Sequence, residues 1–427
     1  MTEKRKSPAL RFRGYTDDWE QRKLDDMCEI ITKQTGFDYS ATIKPSLLTE
    51  SSNETYSFIQ NKDFSGNEIN LDTDFFIPIE VAERFPKILL DKPSLLISIS
   101  GRIGNVGFYN LPQKSFIGGA VGICKLKNSQ YGEFIVQELE SDYGKNYFHS
   151  LIKASSHANI TVEDIRNIII LMPKDDCEQE KIASYFNNLD NLITLHQRKL
   201  EKLKLVKKSM LEKMFPKNGS SVPEIRFNGF TDDWEQRKFG DYNDLMTGYP
   251  FESDKFSEDG IKLVRGMNVK RGYLDFSEDI CVKWNSCVGL ENFLLKDGDI
   301  LIQMDGALIG KSYAKIKENQ LPALLVQRVT RARTNNKFAS QDFMYQTIQR
   351  DFLRYIEMNK TETAVPHLSL NDIRNFEIMV PCLAEQKKIG DYFESLDHLI
   401  TLHQRKLKKL QVSENRCFRR CLFDIII

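Results

Sequence analysis

Two stretches of this sequence occur twice, and that duplication constrains the fold more than any other feature. The octapeptide Thr-Asp-Asp-Trp-Glu-Gln-Arg-Lys at residues 16–23 recurs unchanged at 231–238. The nonapeptide at 192–200 recurs unchanged at 399–407. The offsets are 215 and 207 residues, whereas solenoid repeats have periods of roughly 20–50 residues. The sequence therefore predicts a duplicated domain rather than a stack of short repeats.

The similarity is confined to the ends of each half. Residues 159–173 resemble 367–381, whereas the middles, at about 27–158 and 242–366, are much less alike. Shared ends around divergent middles predict one scaffold that carries two different binding surfaces.

Apolar residues recur in steps of four and three along both C-terminal shared segments, a pattern typical of helices that pair along an apolar seam. The first helix is predicted at about 178–214, with Asp175 or Asp176 as its N-cap, and it would be about 55 Å long. Because so long an apolar stripe needs a partner, we expect an antiparallel coiled coil; separate packing of each helix on its own domain is the alternative. The predicted seam residues are Ile182, Phe186, Leu189, Ile193, His196, Leu200 and Leu203 in the first helix and Ile389, Phe393, Leu396, Ile400, His403, Leu407 and Leu410 in the second.

Two histidines interrupt the apolar seam at equivalent positions, His196 and His403. A polar residue in a seam often fixes the register of the pair. We therefore expect a structural role for both histidines rather than a metal site.

Short runs of β-forming residues, separated by Gly and Asn turns, are typical of strands. Such runs occur at 94–99, 168–172, 299–304 and 324–326. Together with the helices they predict the α+β class, as two tandem α+β domains that are each followed by a long helix.

Charge neither requires nor excludes a nucleic-acid partner. The chain has 60 basic and 60 acidic residues, whereas a DNA-binding domain often has a basic excess. The charge is segregated, however, with eight basic and two acidic residues at 198–217 and seven basic and one acidic at 405–420. These runs are consistent with nucleic-acid binding or with a solvated helix face.

Membrane, secreted and metal-binding classes find no support. There is no apolar run of about 18 residues and the N-terminal residues are polar, so we expect neither a membrane anchor nor a signal peptide and a cytoplasmic location. The eight cysteines form no C-x-x-C pair, which favours free thiols over disulfides or a zinc site.

One segment resembles a phosphate-binding loop, at residues 305–312. Asp305 stands where that motif requires its first glycine, so we do not expect a nucleotide site. Hydrolase, metalloprotease and dinucleotide-binding motifs are also missing. The chain is predicted to be a binding protein, with no catalytic residue, metal or cofactor of its own.

Several segments resemble the specificity subunits of type I restriction-modification systems. They are Gly-Asp-Ile-Leu-Ile … Gly-Ala-Leu-Ile-Gly at 298–310 and Leu-Ser-Leu-Asn-Asp-Ile … Glu-Gln-Lys-Lys-Ile … Leu-Asp at 368–397. Residues 223–235 resemble the start of a target-recognition domain. The resemblance implies target-recognition domains at 1–176 and 222–382, a long helix with a linker at 177–221 and a second long helix at 383–427.

The same resemblance implies a function. Each domain would bind one half of a split, asymmetric site in double-stranded DNA, and the helices would set the gap. Two methylation subunits with S-adenosylmethionine would catalyse adenine methylation. Two restriction subunits with ATP and Mg would catalyse DNA cleavage. A standalone tandem DNA-binding regulator and a protein-interaction scaffold are the alternatives.

Candidate DNA contacts are polar or basic residues beside predicted strand ends. They are Gln60, Lys62, Ser100, Arg102, Lys153, Ser155 and His157 in the first domain and Arg265, Lys270, Arg271, Gln303, Asp305, Arg328, Arg331, Arg333 and Lys360 in the second.

Overall fold

The chain forms two compact units, each containing one of the divergent middles. A computed structural model describes residues 8, 10–154, 159–217, 219–306, 309–359 and 367–418. One unit consists of residues 1–197 and 405–427, and the other of residues 198–404. The division therefore falls within both long helices.

The first unit combines short strands with helices. Its strands are β1 (Glu20–Lys23), β2 (Cys28–Lys33), β3 (Thr55–Ile59), β4 (Phe64–Ser65), β5 (Glu68–Ile69), β6 (Phe76–Pro78), β7 (Leu89–Leu90), β8 (Ser94–Ser98), β9 (Val106–Tyr109), β10 (Ser115–Ile117), β11 (Val121–Leu126) and β12 (Ile169–Met172). Its helices are α1 (Leu24–Met27), α2 (Gly36–Asp38), α3 (Lys44–Ser46), α4 (Ile79–Ala82), α5 (Tyr131–Glu140), α6 (Asp142–Ala154), α7 (Val162–Arg166) and the first part of α8 (Asp176–Lys213).

The second unit has a similar order of elements. Its strands are β13 (Glu235–Lys238), β14 (Asn243–Thr247), β15 (Ile261–Val264), β16 (Lys283–Trp284), β17 (Ile300–Gln303), β18 (Tyr313–Lys315), β19 (Ala323–Leu325), β20 (Val329–Thr334) and β21 (Glu377–Val380). Its helices are α9 (Gln341–Thr347), α10 (Leu353–Asn359), α11 (Leu370–Arg374) and the first part of α12 (Leu383–Phe418).

Among the described residues, each divergent middle contains a four-stranded antiparallel sheet and a second, mixed sheet, which has four strands in the first unit and three in the second. The first unit contains an antiparallel sheet in the order β2-β11-β8-β9 and a mixed sheet in the order β6-β3-β10-β7. The second contains the corresponding sheets β14-β20-β17-β18 and β16-β15-β19. The predicted α+β class is confirmed, and all four runs predicted as strands are strands, to within one residue at each end.

The repeated octapeptide closes each unit. Its last four residues form β1 and β13, which pair antiparallel with β12 and β21, the strands that precede the long helices. The tryptophan before each strand, Trp19 or Trp234, is buried. The beginning and the end of each divergent middle are therefore held together by identical sequence.

A buried arginine–glutamate pair fixes the start of each long helix. Arg11 donates from Nε and Nη2 to the two carboxylate oxygens of Glu178, at 2.5 and 2.7 Å. Arg226 does the same to Glu385, at 2.8 Å for both contacts. Both glutamate side chains are fully buried. Removing a carboxylate from water has a high free-energy cost unless the carboxylate is paired with a cation. Each glutamate therefore requires its arginine partner.

The glutamine that follows each glutamate closes the preceding turn. Gln179 donates from Nε2 to the carbonyl of Pro173 at 2.7 Å, and Gln386 donates to Pro381 at 2.9 Å. The first turn contains one residue more, and Asp175 uses its carboxylate there to accept from the first backbone amides of α8. The extra residue therefore leaves the glutamine contact intact.

The two long helices pack antiparallel, as the seam predicted. In the second unit Lys207 of α8 donates to Asp397 of α12 at 2.6 Å. In the first unit Asp190 of α8 is hydrogen-bonded to Glu414 of α12. Moving forward along α8 from Asp190 to Lys207 moves the partner the same distance back along α12. All the predicted seam residues are buried or half-buried, including His196 and His403.

The beginning of each long helix also packs on its own unit. Phe186 of α8 belongs to the same hydrophobic core as Trp19, and Phe393 of α12 belongs to the same core as Trp234. Each helix therefore packs on its own domain at one end while it pairs with the other helix.

One pair of contacts shows that the helix pair is not symmetric in charge. Asp190 and Asp397 are duplicates, and so are Lys207 and Glu414. An ion pair in the second unit is thus a pair of carboxyl groups in the first. Burial, and then the hydrogen bond with Asp190, raise the pKa of Glu414 to about 7.

We expect removal of one buried glutamate to destabilise the second unit. Glu385→Ala leaves Arg226 without its partner in a mostly buried place and should cost about 3 kcal/mol of unfolding free energy. Because Arg226→Ala together with Glu385→Ala leaves no unpaired charge, the double variant should lose less than the sum of the single variants. Urea unfolding measures both effects.

Glu235→Ala is the matched control, because it removes a carboxylate from an exposed pair with Arg237. Exposed pairs contribute little, so its urea midpoint should not move. Equal midpoints for Glu385→Ala and Glu235→Ala would contradict the role given to the buried pair.

The carboxyl pair predicts a pH dependence of stability. Between the ordinary pKa of 4.5 and about 7, Glu414 binds a proton in the folded state but not in the unfolded state. Stability at this contact is therefore lost as the pH rises through that window. Two neighbouring charges also affect the pKa of Glu414: Glu140 raises it and Lys145 lowers it. Burial raises the pKa of Glu140 itself to about 7.

We expect Glu414→Lys to form an ion pair with Asp190 and to remove most of this loss. The measurement is thermal unfolding at pH 5.5 and pH 8, with Glu201→Lys as a control that changes the charge equally at an exposed site on α8. An unchanged pH dependence in Glu414→Lys would show that the carboxyl pair does not cause it.

Candidate nucleic-acid interface

Three turns meet at one corner of the first unit. The turn after β3 contacts the turn after β8, because Asn61 donates from Nδ2 to the carbonyl of Ser100 at 3.0 Å. The turn after β8 is also joined to the turn before β11, since the amide of Ile99 donates to the carbonyl of Ala120 at 2.9 Å. The first corner is defined as residues 60–63, 100–102 and 118–120.

Four predicted DNA contacts lie together at the first corner: Gln60, Lys62, Ser100 and Arg102. Lys62 and Arg102 are exposed and line a cleft of about 950 Å³. Lys62 donates from Nζ to the carboxylate of Asp74, and this hydrogen bond raises the pKa of Lys62, which is therefore a cation at neutral pH. The corner thus presents two exposed cations, of which Lys62 is paired with Asp74, beside a cleft that is also lined by Asp63, Glu68 and Glu140.

The same three turns meet in the second unit. Gln303 donates from Nε2 to the carbonyl of Asp305 at 2.8 Å, and Arg328 pairs with the Asp305 carboxylate at 2.8 Å. The amide of Met304 donates to the carbonyl of Arg328 at 2.9 Å. The second corner is defined as residues 265–268, 303–306 and 327–328.

The two corners make equivalent hydrogen bonds and carry different side chains. The hydrogen bond from Ile99 to Ala120 in the first corner corresponds to the one from Met304 to Arg328 in the second. Another side chain caps the first turn in each case: Asp63 accepts from the amide of Gln60, as Asn268 does from Arg265. One backbone frame therefore presents two different sets of polar groups.

Three predicted contacts are used inside the second unit instead. Arg331 is buried, which lowers its pKa, and it is paired with Asp244. Arg333 donates from Nε and Nη2 to the two oxygens of Asp299 at 2.7 and 2.6 Å. Arg265 donates to a backbone carbonyl, that of Ile280, at 2.6 Å. Because these guanidinium groups have internal partners, we leave all three out of the proposed surface.

The remaining predicted contacts do not belong to a corner. Lys270 and Arg271 lie on a hairpin whose backbone bridges to Tyr313 of β18. Ser155, His157, Lys360 and the side chain of Lys153 lie outside the described residues.

Sequence reasoning missed the residues that build the first corner. Asn105 donates from Nδ2 to the carbonyls of Asn61 and Phe64, at 3.1 and 2.6 Å, and Asn61 in turn holds Ser100. Asparagine in a turn is a general signal for side-chain to backbone hydrogen bonds, but it does not name the distant partner.

The sequence pattern of the type I restriction modification DNA specificity domain matches the chain twice, at residues 16–205 and 231–412. Each match contains one corner and one pairing segment of a long helix. The chain belongs to this family. The resemblance drawn from residues 223–235, 298–310 and 368–397 is thereby confirmed.

Relatives in the specificity family match either nearly the whole chain or about half of it. The type I restriction enzyme MjaVIII specificity subunit of Methanocaldococcus jannaschii is 23% identical over 411 residues, which is 94% of this chain and 91% of the relative. The EcoAI specificity subunit of Escherichia coli is 28% identical over 203 residues, 47% of this chain and 34% of the relative. The crystal structure of the type-I restriction-modification S subunit from M. genitalium has a TM-score of 0.63 at 15% identity and covers 99% of both chains. This last likeness shows a shared fold.

The loop that resembled a phosphate-binding loop in sequence lies between different secondary-structure elements from those of that motif. Residues 305–312 connect the antiparallel strands β17 and β18, whereas a phosphate loop leads from a strand into a helix. Within the described ranges, no three His, Cys, Asp or Glu side chains are grouped to hold a metal ion. Nor does any helix in that part of the chain have the length and apolar character needed to cross a membrane.

At least four of the eight basic residues at 198–217 form ion pairs with acids of their own unit. Lys207 binds Asp397, and Lys213 and Lys217 both approach Glu224, at 3.4 and 2.9 Å. This favours the interpretation of the run as a solvated, ion-paired helix face. The six described cysteines are free, as expected.

We expect the cations of the first corner to contribute to binding mainly by neutralising phosphates. Lys62→Ala combined with Arg102→Ala should weaken DNA binding by the assembled complex for all sequences alike. It should also lower the slope of log affinity against log salt by about 1 to 2. Salt titrations of binding measure this slope.

The control is Lys92→Ala, since Lys92 is also exposed and ion-paired but precedes β8 at its opposite end. It should leave the slope unchanged. If the double variant and the control gave the same slope, the first corner would not be a phosphate-binding surface.

Proposed function

We propose that this chain is the DNA-recognition subunit of a type I restriction-modification complex and binds a bipartite, asymmetric site, one half on each unit. The observation that carries the proposal is the pair of corners. Equivalent backbone hydrogen bonds, from Ile99 to Ala120 and from Met304 to Arg328, present different side chains in the two units. A duplicated frame with unlike surfaces suits a site whose two halves differ.

The chemistry of the corners suits double-stranded DNA. Exposed cations such as Lys62 and Arg102 supply the sequence-independent attraction to phosphates. Polar groups such as Gln303 and Arg328 match the donors and acceptors that base edges present in the major groove. A net charge of zero does not oppose this function, because the contacts are local.

The long helices suit a role as spacer. α8 has 38 residues and is about 57 Å long at 1.5 Å per residue, which exceeds the roughly 34 Å of one DNA turn. The antiparallel contacts of Lys207 and Asp190 fix the register of the pair. A fixed register supports a fixed gap between the halves of the site.

The outer faces of the helices suit the docking of partner subunits. Leu192 and Leu195 of α8, and their duplicates Leu399 and Leu402 of α12, are between 38% and 46% exposed. Leucines three residues apart form an apolar strip on a helix. We propose that two methylation subunits pack on these equivalent strips.

Catalysis belongs to those partners in this proposal. The methylation subunits would use S-adenosylmethionine to methylate adenine, and two restriction subunits would use ATP and Mg to cleave DNA. Methylation of a base in a duplex generally requires flipping it out of the stack. Tight binding on both sides of the gap would hold the DNA for that step.

The test is to express the chain with its methylation subunit and to map methylated adenines in cellular DNA. A split, asymmetric motif that requires this chain is the expected result. If the chain bound DNA but directed no methylation, the standalone regulator would be favoured, and if it bound no DNA, the interaction scaffold would be.

We expect a domain exchange to change half of the motif. Replacing residues 242–366 with the corresponding middle of another family member removes the second corner and leaves the helix pair and the first corner. One half of the methylated motif should change, while the other half and the gap should remain. A change in both halves would exclude independent recognition by the two units.

A further inference from the structure

One residue of the second corner has an unusual backbone conformation. Arg328 has a φ of +67° and is, among the described residues, the one non-glycine with a φ in the left-handed region. This region is unfavourable for a residue with a Cβ atom. Its carbonyl accepts from Met304 at 2.9 Å, so the residue lies at a fixed point beside the end of β17.

The fold itself does not require an arginine there. Ala120 accepts the equivalent hydrogen bond in the first corner and is not in the left-handed region. Nor does packing explain the choice, because the Arg328 side chain is 68% exposed. An unfavourable backbone conformation without a packing reason points to function.

Asp305 holds this exposed side chain in place. Nη1 of Arg328 binds Oδ2 of Asp305 at 2.8 Å. Asp305 is itself fixed, because its carbonyl accepts from Gln303 and its backbone bridges to His367. A carboxylate near DNA phosphates is repelled unless it has a cation as partner. The ion pair therefore explains an acid at a surface where cations are expected.

The chemistry that fits this arrangement is that of guanine. A guanidinium group has five N–H donors in a planar fork, and the contact with Asp305 uses one nitrogen of it. Two parallel donors match N7 and O6 of guanine in the major groove, the commonest base-specific contact of arginine. Holding the fork in advance reduces the entropy lost on binding.

We propose that Arg328 recognises a guanine in the half-site of the second unit and that Asp305 is its positioning residue. This inference rests on the proposed function, since it names the base contact of one corner. It also gives the two corners different specificities, because Ala120 has no comparable group.

The test compares Arg328→Ala and Arg328→Lys in the complex with the methylation subunit. Methylation rates are measured on duplexes that carry each base at each position of the motif. Both variants should lose the preference for guanine at one position of the second half-site by roughly 10- to 100-fold. Lysine cannot reproduce the bidentate fork, so it should restore overall binding but not that preference.

Asp305→Asn tests the positioning role. It should weaken the same preference at the same position and leave the salt dependence of binding nearly unchanged, whereas a purely structural residue would affect all positions. Arg237→Ala, which removes an exposed arginine from an ion pair outside the corners, is the matched control and should leave the motif unaltered.

Other outcomes separate this inference from the proposed function. A wild-type complex without a split motif would overturn the proposed function. A normal wild-type motif that persists in Arg328→Ala would overturn only the guanine contact. Uniform weakening that lysine fully restores would show a phosphate contact in its place.

Discussion

The buried arginine–glutamate pair at the start of each long helix is the constraint on which the remaining structure depends. Glu178 and Glu385 have no exposed side-chain surface, so each is stable as an ion only beside its arginine. The pair ties the N-terminal segment of a unit to a helix that begins some 160 residues later in sequence. The repeated strand then pairs beside it. Because both ends of a middle are fixed in this way, the sequence between them can diverge without loss of the frame.

The helix pair shows that the duplicated halves have diverged in sequence. Lys207 and Asp397 form an ion pair, whereas their duplicates Glu414 and Asp190 bring two carboxyl groups together. A hydrogen bond between two half-buried carboxyl groups requires that one of them is protonated, whereas an ion pair does not. The helices are therefore joined more firmly in the second unit than in the first, although the apolar seam is the same. The apolar seam of the two helices is therefore pseudo-symmetric, whereas the charged side chains beside it are not.

Local sequence was sufficient to predict the helices and strands, but it was insufficient to predict which residues form the candidate site. Identity between residues 192–200 and 399–407 implied two equivalent helices, and steps of four and three gave their apolar face. Arg331 and Arg333 were predicted as DNA contacts because they are basic residues beside a predicted strand end. Their partners, Asp244 and Asp299, are 87 and 34 residues away. No local pattern shows that a strand arginine is paired with a distant acid, since the partner is set by the sheet order and not by spacing.

The corners combine a shared backbone frame with variable, exposed side chains. Their backbone hydrogen bonds are internal and identical, whereas side chains such as Arg102 and Arg328 point away from the core and are exposed. Changing an exposed turn residue generally alters stability little, while a bidentate base contact discriminates by about 1–3 kcal/mol. A substitution at a corner can therefore change recognition strongly at small structural cost. That imbalance explains why the two middles differ so much in sequence while their sheets keep the same order.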